Sequence, residues 1–163
     1  MKSKNKGNTY ERKISNLLSA KFKDYLQESQ GFRRNPDSGS FFGGSNSKKI
    51  ETHNLDYAVF GDIICPKNFK FSIECKHYKT PPSFKSIIMN KVTQWDQWIS
   101  QARLDAKNSG KLPFIIIKYN NIDDIVMVQT QFSGLQEIFK YDGVYIYLLS
   151  SVIALPDNEF FVP

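Results

Sequence analysis

The spacing of hydrophobic positions changes several times along the chain, and each change marks an element. Over residues 8 to 28, Tyr10, Ile14, Leu17, Leu18, Tyr25 and Leu26 recur at helical spacing among charged residues, which predicts an amphipathic helix. Asn8 with Glu11 three positions on has the spacing of a capping box and marks the start, and Gly31 marks the stop. Residues 31 to 35 read as a short strand. Residues 36 to 49, with Pro36, Gly39, Gly43, Gly44 and four serines, read as a loop.

Two strands follow, over residues 55 to 65 and 69 to 78, and the tight Pro66-Lys67-Asn68 connection makes them an antiparallel hairpin. In the second strand Phe71, Ile73 and Cys75 alternate with Ser72, Glu74 and Lys76, so one face is apolar and the other carries an acid and a base. Residues 80 to 84, with two prolines, break the chain. A second helix over residues 91 to 108 has an apolar stripe of Trp95, Trp98, Ile99, Ala102 and Ala106 and ends at Asn108-Ser109-Gly110. The unalternating run at residues 113 to 119 predicts a strand covered on both faces. A strand at 123 to 130, a short helical piece at 135 to 139 and an apolar segment at 144 to 155 complete the chain. The order helix, strands, helix, strands predicts an α/β fold: a single-domain α/β sandwich over residues 1–163, with a mixed central sheet flanked by helices. Its core lies at about 8–120, and 121–163 supply C-terminal strands and a tail.

Composition narrows the class. At 40% hydrophobic and 23% charged, the 163 residues are those of an ordinary globular chain, which excludes disorder, collagen and coiled coil as whole-chain readings. No apolar run reaches the ~18 residues of a transmembrane helix, and Met1-Lys2-Ser3-Lys4-Asn5-Lys6 lacks the apolar stretch of a signal peptide. The expectation is a soluble, cytoplasmic protein without a membrane partner. Cys65 and Cys75 are too few for a disulfide framework and read as reduced strand thiols. Charge is uneven: residues 1 to 50 hold 11 Lys and Arg against 4 acids, or +7, while the remainder hold 11 against 12, or −1. A basic surplus of this kind suits a polyanion, nucleic acid above all, or a solvated face that keeps the chain soluble.

The chemistry centres on Gly61-Asp62 and Glu74-Cys75-Lys76. Folding the hairpin back through residues 66 to 68 sets Asp62 near Ile73 and Glu74, so the two carboxylates can approach. Glu74 and Lys76 share a face. Two convergent carboxylates and an ammonium make a hard-oxygen site for Mg²⁺, with a cation left to stabilise an attacking hydroxide or a phosphoryl oxygen. The competing reading is an ordinary face with an intrastrand Glu74 to Lys76 pair.

In this order the residues resemble the PD-(D/E)xK nuclease superfamily, whose restriction-endonuclease-like core is a helix, an antiparallel hairpin with the motif, a crossover helix and a further strand. Gly61 stands where that pattern has proline. Within the superfamily, residues 31 to 40, Gly-Phe-Arg-Arg-Asn-Pro-Asp-Ser-Gly-Ser, look like the loop of archaeal and phage-type Holliday junction resolvases. Trp98-Ile99-Ser100-Gln101-Ala102 through Gly110-Lys111-Leu112-Pro113-Phe114 look like their crossover helix and next strand. The resemblance covers about residues 8 to 120.

It implies an Mg²⁺-dependent, structure-selective DNA endonuclease, with Mn²⁺ as a substitute metal. Asp62, Glu74 and the Cys75 carbonyl would hold the metal, and Lys76 would favour the hydroxide form of the attacking water. Glu11 would organise water or else only cap its helix. Ser38, or Ser40 or Ser45 in its place, would contact the scissile phosphate. Arg33, Arg34, Lys48 and Lys49 would grip the DNA backbone. Gln101 is either a polar residue at the core edge or part of the site. His77 points to the opposite face, and Trp95 and Trp98 belong to the core. A four-way junction has near two-fold symmetry, so a homodimer is expected. The alternatives are a restriction or repair nuclease on the same fold, a catalytically idle DNA-binding module, and a basic interaction protein whose Asp62, Glu74 and Lys76 are surface charges.

Overall fold

Helix α1 spans Ser3–Lys21 and buries Tyr10, Ile14 and Leu18, one residue per turn. The structure, a computed structural model, describes residues 3–26, 31–36 and 60–162. The helix begins upstream of the expected start, so Asn8 lies inside it rather than at its cap. Asn8 Oδ1 accepts a hydrogen bond from Arg34 Nη2 at 2.9 Å, and Glu11 pairs with the same guanidinium. A tertiary partner has displaced the local capping arrangement. The helix also ends before the expected residue 28, because Phe22 turns into an aromatic cluster with Phe32, Phe69, Phe160 and Phe161.

Among the described residues seven strands make one mixed sheet: β1 Arg33–Arg34, β2 Ile63–Ile64, β3 Phe71–Tyr78, β4 Leu112–Tyr119, β5 Ile125–Val128, β6 Phe139–Tyr141 and β7 Val144–Leu148. Their order is β1-β2-β3-β4-β5-β7-β6. Among these strands β3 and β4 alone run parallel, from Phe71↔Leu112 to Tyr78↔Tyr119. A parallel pair needs a crossover, supplied here by α2 (Phe84–Ile88) and α3 (Thr93–Ser109). The chain then turns through Gly110, held at φ 67°, as the Asn108-Ser109-Gly110 stop predicts.

Each face of the sheet carries its own core. Phe71, Ile73, Phe114, Ile116, Val126 and Val128 pack toward α1, with Phe160 and Phe161 closing the edge. Ile115, Ile117, Tyr119, Met127 and Ile146 pack toward Trp95, Trp98, Ile99 and Ala102 of α3. Trp95 and Trp98 are 2% and 6% exposed, so both are core residues, and the Trp95 indole N–H donates to the Tyr119 hydroxyl at 2.8 Å.

Three expectations change. Residues 135 to 139 form no helix: after Gly134 at φ 74°, the chain enters β6, where Phe139 pairs with Ile146. The apolar segment 144 to 155 divides into β7 and α4 (Leu149–Ile153). Of the strand expected over 55 to 65, residues 55 to 59 lie outside the described residues, and the strand proper is Ile63–Ile64. The C-terminal third adds β5, β6 and β7 to the sheet. Among the described residues no helix is long and apolar enough to cross a membrane.

Candidate active site

The register of β2 on β3 builds the site. Ile63 pairs with Ile73, and the Asp62 N–H donates to the Ile73 carbonyl at 2.8 Å. One step on, the Cys75 N–H donates to Asp62 Oδ2 at 2.8 Å, so a side chain replaces the next backbone acceptor of β2. Asn35 fastens the same turn from β1's side: its N–H donates to the Asp62 carbonyl at 2.8 Å and its Nδ2 to the Gly61 carbonyl at 3.0 Å. Gly61 sits at φ +82°, and a Cβ there would lie 2.5 Å from the Ile73 carbonyl oxygen. Proline, fixed near φ −65°, cannot adopt that turn, so the glycine has a local geometric reason.

Alternation along β3 turns Glu74 and Lys76 away from α1 and under α3. This face is not a surface. Glu74 is 4% exposed and Asp105 of α3 is 0% exposed. Lys76 Nζ donates to Glu74 Oε2 at 2.8 Å. Neither oxygen of Asp105 has a hydrogen-bond partner of good geometry among the described residues, although Glu74 and Lys76 are close enough to act on its carboxyl.

Three carboxylates, the half-buried Asp62 and the buried Glu74 and Asp105, therefore share one ammonium. Burial, reinforced by Glu74, pushes the Asp62 carboxyl up to about 7, while Lys76 and the Cys75 N–H pull against it. Burial also pushes Asp105 up to about 6, with the charge of Asp62 adding to the shift and Lys76 opposing it. Glu74 is raised by burial despite its bond to Lys76. Burial alone would lower Lys76, but Glu74 and Asp62 outweigh it and keep the ammonium charged. The cluster thus holds protons into the neutral range because it has more buried negative charge than positive.

A divalent cation is the natural replacement for those protons. Among the described residues no group of three or more His, Cys, Asp and Glu side chains forms a metal-binding arrangement. Two carboxylates and a backbone carbonyl remain, a set that suits Mg²⁺, which keeps several waters and takes few protein ligands. By alternation the Cys75 carbonyl points to the same edge of β3 as Asp62, since the Ile73 carbonyl and the Cys75 N–H on that edge both engage Asp62, and so could join that set. The Cys75 thiol faces the α1 core instead, and burial with the nearby carboxylates raises it well above its usual value.

The remaining sequence candidates fall in different places. Glu11 is 8% exposed and its Oε2 lies 2.6 Å from Arg34 Nε, so Arg34 turns inward to α1 rather than out to solvent. Arg33 is exposed. Ser38, Lys48 and Lys49, with Ser40 and Ser45, lie outside the described residues. Gln101 is half-buried on α3, one turn before Asp105. His77 stands on the α1 side as expected, its ring 5.5 Å from that of Tyr10. Asp105 is the residue the sequence reading passed over. Its signal was present: it lies three positions after Ala102 and one before Ala106, an acid on the stripe that faces the core.

A helix, an antiparallel pair bearing Asp and Glu-x-Lys, a crossover helix and a parallel strand define the PD-(D/E)xK nuclease superfamily fold. The chain belongs to the family described as "Phage putative PDDEXK endonuclease", whose model matches residues 2–153. That match runs beyond residue 120 through β7 and α4, so the C-terminal strands belong to the family's pattern. No curated protein and no solved structure shows significant similarity to the chain.

Proposed function

We propose that the protein is an Mg²⁺-dependent endodeoxyribonuclease that cleaves branched DNA in the manner of a Holliday junction resolvase. The observation that carries the hydrolytic reading is the anionic surplus of half-buried Asp62 and buried Glu74 and Asp105 beside a single lysine. A divalent metal, Mg²⁺ or Mn²⁺ in its place, would be held by Asp62, Glu74 and the Cys75 carbonyl and would supply positive charge at the scissile phosphate.

The chain's own groups do the rest. Lys76, kept charged by its neighbours, donates hydrogen bonds toward the phosphoryl oxygens as negative charge builds on them. Glu11, held by Arg34, orients the attacking water from α1. Ser38 contacts the phosphate, and Arg33, Lys48 and Lys49 hold the flanking backbone without reading bases. Gln101 lends a polar contact from α3. Preference for junctions is supported by the resemblance of residues 31 to 40 and by basic groups suited to shape over sequence. A symmetric homodimer acting in the cytoplasm would place two such sites on opposed strands.

The test incubates labelled four-way junction, linear duplex and single-stranded DNA with the protein, with and without Mg²⁺. Junction cleavage that requires the metal and resists excess duplex is expected. Equal competition by duplex would leave a general nuclease with the same chemistry. No cleavage of any substrate in Mg²⁺ or Mn²⁺ would overturn the enzymatic reading.

A further inference from the structure

Beyond the strand that carries Glu74 and Lys76, α2 presents an apolar surface that the fold does not use. Phe84, Ile88 and Met89 are 77%, 64% and 54% exposed, and no residue of α2 is buried. Phe84 and Ile88 are one helical turn apart and share a side. The turn is held firmly for so short an element. Ser83 Oγ caps it by accepting the Ser86 N–H at 3.1 Å, and the Lys91 N–H donates to the Ser86 carbonyl at 2.9 Å. Ile87 anchors it to the core beneath α3.

Charge around the turn indicates what covers it. Residues 75 to 95 contain four lysines, Lys76, Lys79, Lys85 and Lys91, and no acid. Lys79, Lys85 and Lys91 are exposed. A second copy of the same face would bring like charges together, whereas a polyanion with an apolar surface would satisfy both features. DNA whose bases are unstacked is such a partner. Chain length keeps the two close: Phe84 follows Tyr78, at the end of β3, after five intervening residues, so they are at most roughly 20 Å apart, or about six nucleotide steps.

We propose that α2 is a wedge that sets Phe84 and Ile88 against unstacked bases at a branch or gap, while Lys79, Lys85 and Lys91 hold the adjoining phosphates. The inference rests on the nuclease reading for its ligand and adds a structure-sensing element to it.

The test measures binding in Ca²⁺ to gapped or junction DNA carrying 2-aminopurine beside the unpaired position, and to intact duplex of the same sequence. Phe84→Ala combined with Ile88→Ala should bind the branched DNA roughly tenfold more weakly, lose the fluorescence rise that reports unstacking, and bind duplex as before. Phe84→Trp should keep the fluorescence rise. Lys85→Ala should weaken binding to both forms and lower the salt slope on duplex by about 0.9. Because the altered side chains are exposed, the variants keep the fold. Unchanged fluorescence and affinity in the double variant would overturn the wedge. So would wild-type protein that binds no DNA, or a wild-type dimer that the double variant converts to monomer in sedimentation. Mg²⁺ cleavage by the wild type, run in parallel, separates the two readings: cleavage with an inert double variant removes only the wedge, and binding with unstacking but no cleavage removes only the nuclease.

Discussion

From Phe71 to Cys75 both faces of β3 are buried, and they contribute with opposite sign. On the α1 side, Phe71, Ile73 and Cys75 are 0%, 0% and 9% exposed and meet apolar partners. On the α3 side, Ser72 and Glu74 are both 4% exposed, beside Asp105 and Lys76, where carboxylates outnumber ammonium groups. Removing apolar area from water stabilises the fold, and removing an unpaired carboxylate from water costs free energy. The dry face therefore holds in place a charged set that would not stay together unaided. Such an arrangement suits a site meant for a cation.

The strongest way to break this contrast is Asp62→Asn. Cleavage in Mg²⁺ should fall by about a thousandfold, because a neutral amide is a poor ligand for a hard cation. The Asn carbonyl can still accept the Cys75 N–H, and one buried charge is gone, so the metal-free melting temperature should rise. A melt in EDTA and a cleavage assay read both effects. A lower melting temperature would show that the charged face is not under repulsion.

The matching change on the dry face is Phe71→Ala. Its ring packs edge-on to Phe69 and Phe114, and deleting it should cost about 3–5 kcal/mol in urea denaturation. Cleavage per folded molecule should stay near wild type. If activity falls in step with the charged-face variant, the two faces are not separable.

Smaller effects follow from pH. A carboxyl whose folded pKa exceeds its unfolded value binds its proton more tightly in the folded state, so stability is lost as pH rises between the two. Asp62 moves from 3.8 to about 7 and Asp105 from 3.8 to about 6, so the metal-free protein should lose stability steadily from about pH 4 to about pH 7. Asp105→Asn should flatten the lower part of that decline and raise stability at pH 7 by about 1 kcal/mol. Melting curves across this range in EDTA provide the check, and an unchanged profile would mean that Asp105 carries no trapped charge.

The same contrast explains what could be read from the sequence. Alternation in β3 announced the placement of Glu74 and Lys76, because period two is a property of the backbone alone. The crossover helix stripe was equally plain. Asp105 was less plain: its place on the stripe, three positions after Ala102, was legible, but only the packing of α3 on β3 shows that an acid there is buried. Arg34 arrives at Asn8 and Glu11 from another segment, so no local pattern could replace the capping box with an ion pair. The helical reading of 135 to 139 failed because pairing of Phe139 with Ile146 outweighed short-range spacing. Residues 37 to 59 lie outside the described residues, and with them the expected roles of Ser38, Lys48 and Lys49.

The smallest expected effect belongs to the residue that takes part in both faces. Cys75 sends its thiol into the α1 core and its backbone to the edge where Asp62 sits. If the metal ligand is the carbonyl, Cys75→Ala removes nothing from the site and only a small apolar group from the core, at a cost of about 1 kcal/mol. Mn²⁺ affinity by calorimetry should match wild type, and so should affinity for Cd²⁺, a soft ion that favours thiolate. The raised thiol agrees with this, since it stays protonated at neutral pH and offers a soft metal little. A large loss of Cd²⁺ affinity in Cys75→Ala would move the thiol onto the charged face and erase the division of β3 into a dry side and a charged one.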